Sequence, residues 1–523
     1  MDPRKETAVE WVSHNMPRLS AWNQIIWHHA ETAWREYKSS AWYVERLREE
    51  GFVVEAGSGG MPTAFSAVWT NGEGGPVIGS YAEYDAVPGN CQKVATYKAP
   101  RDGLSPYAPG DTDPHSALGI SQFGALLAVK HAMETHDVPG TLRFFGEPAE
   151  KVRGSKPIHA AKGYYDGVDA FLSFHPTWMY PHVNTTVWDT HCGAGFAKIY
   201  TFTCEDPGSW ITIPRDNVFP VAHSGARAPG ANDALTLMYQ LSRQMQSSML
   251  PFNTSWSISE AILIAGQASA DNLPHHISQI QYLWRTPTVE EAETIGRILD
   301  RNADHVAQIT HTTVTKSWVS RSRPGLANHV MAEATFENVK WIGPPRWDDE
   351  ARRIAREIQA NIGYEPMDEP FAPEIEQLIE PQEAERILRQ GLPPMQKNYT
   401  SDDYTEYTWH APTVRLVMAR PILSAPPGVV NPDWATVAIG GFPACIDPMI
   451  EVSAKILAAT AIDLLTQPEL LARAWDEFNQ RTGGIGGEKW IPPLLPPDFE
   501  PPIHFRWPEY VTTARGEEWW IPT

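Results

Sequence analysis

The chain has 523 residues, too many for one ordinary core, so at least two domains are expected. It carries 42 Lys plus Arg against 63 Asp plus Glu, a formal net charge of -21, which argues against nucleic acid or an anionic membrane as partner. Its four cysteines, Cys91, Cys192, Cys204 and Cys445, form no Cys-x-x-Cys pair, so neither a zinc ribbon nor a disulfide framework is expected. With no basic-then-apolar leader and no run of roughly 20 apolar residues, the cytoplasm is the expected compartment.

Residues Glu6 to Glu50 read as helices, with Gly51 as a stop. Phe52–Val54, Ala64–Trp69 and Pro76–Ala82 read as strands. Ser116 to Met133 reads as a long apolar helix beginning just after His115. Thr141–Gly146 and Val168–Phe174 read as further strands. Alternation of strand and helix predicts an α/β layered catalytic domain with a mixed sheet. In such sheets, sites form beyond the carboxyl ends of strands. Asp85, Glu150 and His175 are each expected just past such an end.

The middle of the chain changes character. Phe196–Thr203, Asn232–Ser248, Ile277–Trp284, a helix opened by a Thr288/Glu291 capping box, and Thr312–Ser320 suit a β-α-β-β-α-β series. That predicts an inserted α+β, ferredoxin-like domain. The helical stretches Trp347–Ile362 and Pro448–Leu465 follow. Expected boundaries are 1–192 and 323–487 for the two parts of the catalytic domain, 193–322 for the insert, and 488–523 for a Pro/Trp-rich arm.

Three short segments carry candidate ligands: Glu83 to Gly89, Gly110 to His115, and Glu147 to Lys151. A fourth is Phe174-His175-Pro176. Asp113, His115 and His175 could hold one divalent cation, and two histidines plus a carboxylate suit zinc, manganese or iron(II). Glu150 could act as a general base, and Asp85 could orient a histidine ligand. Lys151 stands where a second carboxylate would complete a second metal site.

Gly60 to Phe65, the Glu83-to-Gly89 run and the Glu147-to-Lys151 run resemble the metal-dependent amidohydrolases. That superfamily includes aminoacylases, glutamate carboxypeptidases and auxin-conjugate hydrolases. Ser401 to Trp409 with Pro412-Thr413, and Ala454 to Leu471, are similar to the p-aminobenzoyl-glutamate hydrolase group within it. The resemblance spans roughly Trp22 to Gly484. It implies two metals, a glutamate base, and an inserted lid that dimerises. Carried over by position, Asp113 is the bridging ligand, His115 and His175 complete the first metal site, and Glu150 is the base. Asp111 stands where that group has histidine and is assigned a supporting role. Lys151 replaces one ligand of the second metal, and Ile446, beside Asp447, replaces the other. One divalent metal per chain is therefore expected, with Lys151 as a cation in place of the second. The resemblance also implies substrate contacts from His223, Asn272 and Arg285 in the insert, His223 reaching the site of the partner protomer. A homodimer and a related partner chain are implied.

These readings predict hydrolysis of a C–N bond, foremost an amide of an aromatic or acyl acid. Hydrolytic deamination of an aminoaromatic acid is the alternative within that chemistry. A non-catalytic relative that binds a small acid or supports a partner chain is the alternative outside it.

Overall fold

The computed structural model describes residues 2–177, 179–205, 230–250, 254–266, 275–504, 509–513 and 516–520. The chain opens with helix α1 (Pro3–His29), capped by Asp2, and α2 (Tyr37–Glu49). Gly51 follows α2 at φ +86°, a conformation that a side chain would strain. Strands β1 (Val53–Ala56), β2 (Phe65–Asn71) and β3 (Val77–Ala82) come next, then α3 (His115–His136), β4 (Gly140–Gly146), α4 (Ser155–Ala161), β5 (Ala170–Thr177) and the short β6 (Thr185–Thr186).

The insert follows: β7 (Ala194–Thr203), α5 (Ala231–Ser248), β8 (Ser257–Ala265), β9 (Ile277–Thr286), α6 (Val289–Thr310) and β10 (Thr313–Ser322). The Thr288 hydroxyl accepts the Glu291 N–H at 3.3 Å, so the predicted cap is formed. These strands make an antiparallel sheet in the order β8-β9-β7-β10, with α5 and α6 packed on it over Phe196, Tyr282, Trp284 and Leu299. This is the β-α-β-β-α-β series expected of the insert.

The chain returns through α7 (His329–Ile342), α8 (Asp349–Ile362), α9 (Pro381–Gly391), β11 (Thr413–Ala419), α10 (Asp433–Gly441), α11 (Pro443–Thr466) and α12 (Pro468–Thr482). β11 joins the main sheet, whose order is β1-β2-β4-β3-β5-β11-β6. The pairs β3/β4, β3/β5 and β5/β11 are parallel, while β1/β2, β2/β4 and β6/β11 are antiparallel. The sheet is therefore mixed, as predicted. Helices α1, α3 and α11 pack on one another, and α3 and α11 reach β3 and β5 through Phe123, Leu126, Ile450 and Leu457. Their burial explains the long apolar run of α3, whose residues Ser116 to Val129 are all buried.

Three expectations change. His175 lies inside β5, not past its end, because pairing with β11 continues through Thr177. The helix expected from Pro448 begins at Pro443, with Pro448 inside it. The arm does not run extended to its end: Glu509–Thr513 and Gly516–Trp520 pair as an antiparallel hairpin, consistent with the β-branched and aromatic residues there. All four cysteines are buried, and none is in a disulfide. Among the described residues no helix is long and apolar enough to cross a membrane.

Candidate active site

The site forms where the parallel strands β3, β4 and β5 end. After β3, Asp85 pairs with Glu31 in a two-residue parallel bridge. Its carboxylate meets His115 Nδ1 at 2.8 Å. It also accepts the Lys151 N–H at 2.8 Å. Asp85 thus ties the start of α3 to the segment after β4. Asp111 lies in the loop before α3, and its carboxylate accepts the His115 and Ser116 N–H groups at 3.1 and 3.3 Å. It caps the helix that carries His115, which gives physical content to its supporting role. Burial pushes the Asp111 carboxyl up to about 6.

After β4 the chain makes one tight turn, Glu150–Val152, flanked by Ala149 at φ +61° and Arg153 at φ +58°. Neither is glycine, so this backbone is strained and must be held. The buried Glu36 carboxylate does so by accepting the Ala149 N–H at 2.7 Å. Glu150 is thereby presented to the cluster. One of its oxygens is bonded by the Arg153 guanidinium, and the other accepts from Lys151 at 3.0 Å. Burial raises the Glu150 carboxyl, but Arg153, Lys151 and His115 outweigh it and hold the pKa well below the usual range.

Lys151 is the centre of the cluster. Its ammonium lies 2.8 Å from Asp113 Oδ2, 3.0 Å from Glu150 Oε2 and 3.4 Å from His115 Nε2. Asp113 Oδ2 is in turn 3.9 Å from His115 Nε2 and 3.7 Å from His175 Nε2. Burial raises the Asp113 carboxyl, yet Lys151, His175 and His115 hold it well below its ordinary value. His175 Nδ1 contacts the Pro176 carbonyl at 2.6 Å, so that nitrogen carries the proton and Nε2 keeps its lone pair. His115 Nδ1 is likewise held by Asp85; burial and Lys151 lower its pKa, but Asp85 and Glu83 outweigh them and raise it to about 9, so without a metal the ring is cationic. An imidazole whose far nitrogen is fixed by a carbonyl or carboxylate is the usual arrangement of a metal-binding histidine.

Sequence reasoning missed Glu83 as a participant. Its Oε2 is fully buried, has no hydrogen-bond partner, and lies 3.4 Å from His115 Nε2. Donor atoms of Glu83, His115 and His175 all lie within 4.8 Å of one another. A buried carboxylate oxygen without a partner beside two oriented imidazoles fits a divalent cation, which would satisfy it. Glu83, His115 and His175 therefore suit a divalent metal. Glu83 Oε1 is held by Lys156 at 2.7 Å, and Lys156 also donates to Asp403 at 2.6 Å. Asp402 is paired with Arg415. The signal for Asp402 and Asp403 was present in the Ser401-to-Trp409 motif, but neither Lys156 nor Arg415 has a pattern that a single sequence exposes.

Neither residue carried over to the second metal position of the resembled group can ligate: Lys151 is a cation and Ile446 a hydrocarbon. Ile446 is completely buried in the main core on α11. Asp447 faces Ser20 and is pushed up to about 6 by burial. Arg285 meets Ser401 Oγ at 2.8 Å, and burial followed by Arg153 lowers its pKa to about 10. His223 and Asn272 lie outside the described residues.

Beside the cluster is a cavity of about 150 Å³, lined by Asp113, Glu150, Lys151 and His175 and by residues of the loop after β5 and the segment from Tyr399 to Tyr404. Its ionised lining groups are three carboxylates (Asp113, Glu150, Asp402) and three cations (Lys151, Arg153, Arg415). Without metal the wall is electrically balanced; a divalent cation would leave it positive, suiting an anionic substrate.

The chain is similar in sequence to hydrolases, the class its motifs predict. No protein-family model matches the chain. One of two similar chains named as parts of p-aminobenzoyl-glutamate hydrolase from Escherichia coli (strain K12) is 26% identical over 468 residues, covering 87% of this chain and 91% of that one. The other part of that hydrolase, from the same organism, is 23% identical over 275 residues, 44% of this chain and 58% of that one. In fold, the chain is similar to the crystal structure of an aminobenzoyl-glutamate utilization protein from Klebsiella pneumoniae, with a TM-score of 0.51 and 11% identity over 86% of this chain and 98% of that one.

Proposed function

We propose that the chain is a metal-dependent amidohydrolase that cleaves the amide of an aromatic or acyl acid, using one divalent metal. The observation that carries this is the convergence of Asp113, His115, His175 and Glu150 around one point beside a cavity, together with Lys151 in contact with Asp113 and Glu150. Asp113, His115 and His175 would hold the metal, with Glu83 available to complete its ligands. When bound, such a cation supplies Lewis-acid chemistry, polarising a carbonyl and making water more acidic.

The chain's own groups do the rest. Glu150 is ionised, the form a base needs, and takes the proton of the attacking water at a carboxylate oxygen. It then delivers that proton to the leaving nitrogen, so that acid and amine separate. Lys151 keeps Asp113 and Glu150 ionised without a second metal and can donate to the carbonyl oxygen as negative charge builds on it. Arg153 fixes Glu150 in place through both its carboxylate and its backbone carbonyl, the latter at 2.7 Å.

The test is turnover of p-aminobenzoyl-glutamate and of N-acyl amino acids by metal-loaded protein, reading both products. Acid plus amine supports the reading; ammonia plus a hydroxylated ring would instead identify deamination; no turnover with any of them would overturn the amidase assignment.

We further infer a homodimer formed through the insert. Its support is β8, an edge strand with Ile262 53% exposed, offering unpaired backbone to a second copy. His223 would serve the other protomer's site. Mixing inactive His223→Ala and Glu150→Gln proteins should restore activity in mixed dimers; none would rule out that exchange. The two Escherichia coli relatives are named as parts of one hydrolase, which supports a related partner chain as well. Co-purification from the source cell would reveal it.

A further inference from the structure

The insert is joined to the rest of the chain by two crossings, one entering β7 at Ala194 and one leaving β10 at Ser322. A domain tethered in that way moves about its crossings unless the interface with its neighbour holds it. Residues 489–503, which follow α12, supply a third attachment. The first of them bind the catalytic part: the Lys489 N–H donates to the Thr482 carbonyl at 3.1 Å, and the Trp490 indole N–H donates to the Trp409 carbonyl at 2.6 Å. The next bind the strand that leaves the insert. Arg323 donates to the Ile491 carbonyl at 2.8 Å, and Arg321 of β10 donates to the Leu494 carbonyl at 2.7 Å. Arg323 is itself fully buried and donates to the Glu406 carboxylate at 2.8 Å, so this attachment point is firmly held.

The apolar contacts follow the same line. Phe196 and Tyr200 of β7 lie in the core under α5 and α6, whereas Ala197 and Ile199 belong to a different buried cluster. Strand alternation puts those two pairs on opposite faces of the insert sheet. Leu283 and Val319 join Ala197 and Ile199, and the same cluster contains Trp34, Met61, Ala149 and Ile158 of the catalytic part. It is therefore the contact between the two domains. Leu495 enters it and is 4% exposed, and Phe499 and Ile503 pack against it. Leu494 packs against the helix-covered core of the insert. The six prolines Pro492, Pro493, Pro496, Pro497, Pro501 and Pro502 restrict the undocked segment, so seating it loses less conformational entropy.

Two features of the site depend on this contact. Arg285 of β9 reaches the Oγ of Ser401, a residue of the cavity wall, at 2.8 Å, and it does so only while the insert keeps its position. Ala149, a member of the shared cluster, directly precedes Glu150 in the strained turn. We propose that residues 489–503 form a clasp. They fasten the insert to the catalytic part, keep Arg285 beside Ser401 and seat the turn that presents Glu150. The clasp acts on how the site is assembled and is independent of which bond the site cleaves.

The experiment compares the full chain with its Leu495→Ala and Phe499→Ala variants. Spin labels on Gln308→Cys in α6 and Ala360→Cys in α8, both exposed positions, report the distance between insert and catalytic part by pulsed electron resonance; the four native cysteines are buried. The distance distribution should be narrow in wild type and about 2-fold or more wider in Leu495→Ala. Hydrogen exchange read by mass spectrometry reports the turn. Amides of residues 149–154 should exchange about 10-fold or more faster in that variant, while those of α3 keep their rate. Phe499 is only partly buried, so Phe499→Ala keeps both readings available if Leu495→Ala is poorly soluble. A distribution of unchanged width in the variants overturns the clasp. So does exchange that quickens in α3 as much as in the turn, because the segment would then be ordinary core. A wider distribution with unchanged exchange in the turn overturns its hold on Glu150.

Discussion

Replacing Lys151 by Met keeps an unbranched side chain one atom shorter and removes its charge, leaving Asp113 and Glu150 facing each other without the ammonium. At 2.8 Å and an effective dielectric near 20, each contact of this kind is worth about 6 kcal/mol of Coulomb energy before desolvation is charged against it. Breaking a buried pair costs about 3–5 kcal/mol net. The Lys151 side chain is 27% exposed, so solvent screens part of this and about 2–4 kcal/mol is expected. A chain of 523 residues unfolding as one unit has an unfolding entropy of about 1.1 kcal/mol per kelvin, so the melting temperature should drop about 2–4 °C in chelator-treated protein. In metal-loaded protein the cation takes over part of the ammonium's work, since Asp113 is common to both. The drop should then shrink to about 1 °C or less. The assay is a pair of calorimetric melts, with and without metal, on wild type and Lys151→Met. An equal drop in both states would refute the argument, because ammonium and metal would then not share an electrostatic environment.

Glu150→Gln should lower kcat about 100- to 10,000-fold yet leave metal content by elemental analysis unchanged; near-normal turnover would remove Glu150 from the mechanism. Lys156→Met leaves Glu83 and Asp403 buried without their shared cation and should cost about 3–5 kcal/mol, read as a lower urea midpoint; an unshifted midpoint would contradict the ion-pair assignment. Asp447 has a folded pKa of about 6, above the usual 3.9 or so, with Oδ1 buried and unpartnered. The folded state therefore holds its proton longer than the unfolded state, and stability falls as pH rises from about 4 to 6. Asp447→Asn should match wild type near pH 4 and gain about 1–2 kcal/mol at pH 7; equal melts at both pH values would show that burial does not perturb it. Lys151→Glu alone should not bind a second metal, whereas Lys151→Glu with Ile446→His should, if Ile446 occupies that ligand's position; two metals in the single variant would disprove the alignment.

Much of the architecture was legible in the chain itself, and for local reasons. The apolar run of α3, the Thr288 cap, Gly51 and the β-α-β-β-α-β order are set by periodicity and backbone chemistry within a few residues. The Asp113/His115 spacing and the Glu150-Lys151 pair could be read as chemistry because their members lie close together in sequence. What the sequence could not supply was pairing across distance. Only the tertiary structure decided that Glu36 holds the strained turn before Glu150, that Lys156 bridges Glu83 to Asp403, and that Arg415 answers Asp402. The same holds for His175, whose place inside β5 depends on β11, a strand more than two hundred residues later. His182, His191 and Tyr399 carry no motif at all, and only the tertiary structure brings them together along the cavity. Composition and spacing report which groups a chain owns. Which of them are desolvated, and which charges must then answer one another, is fixed only when the sheet and the segment from Ser401 to Trp409 close over the site.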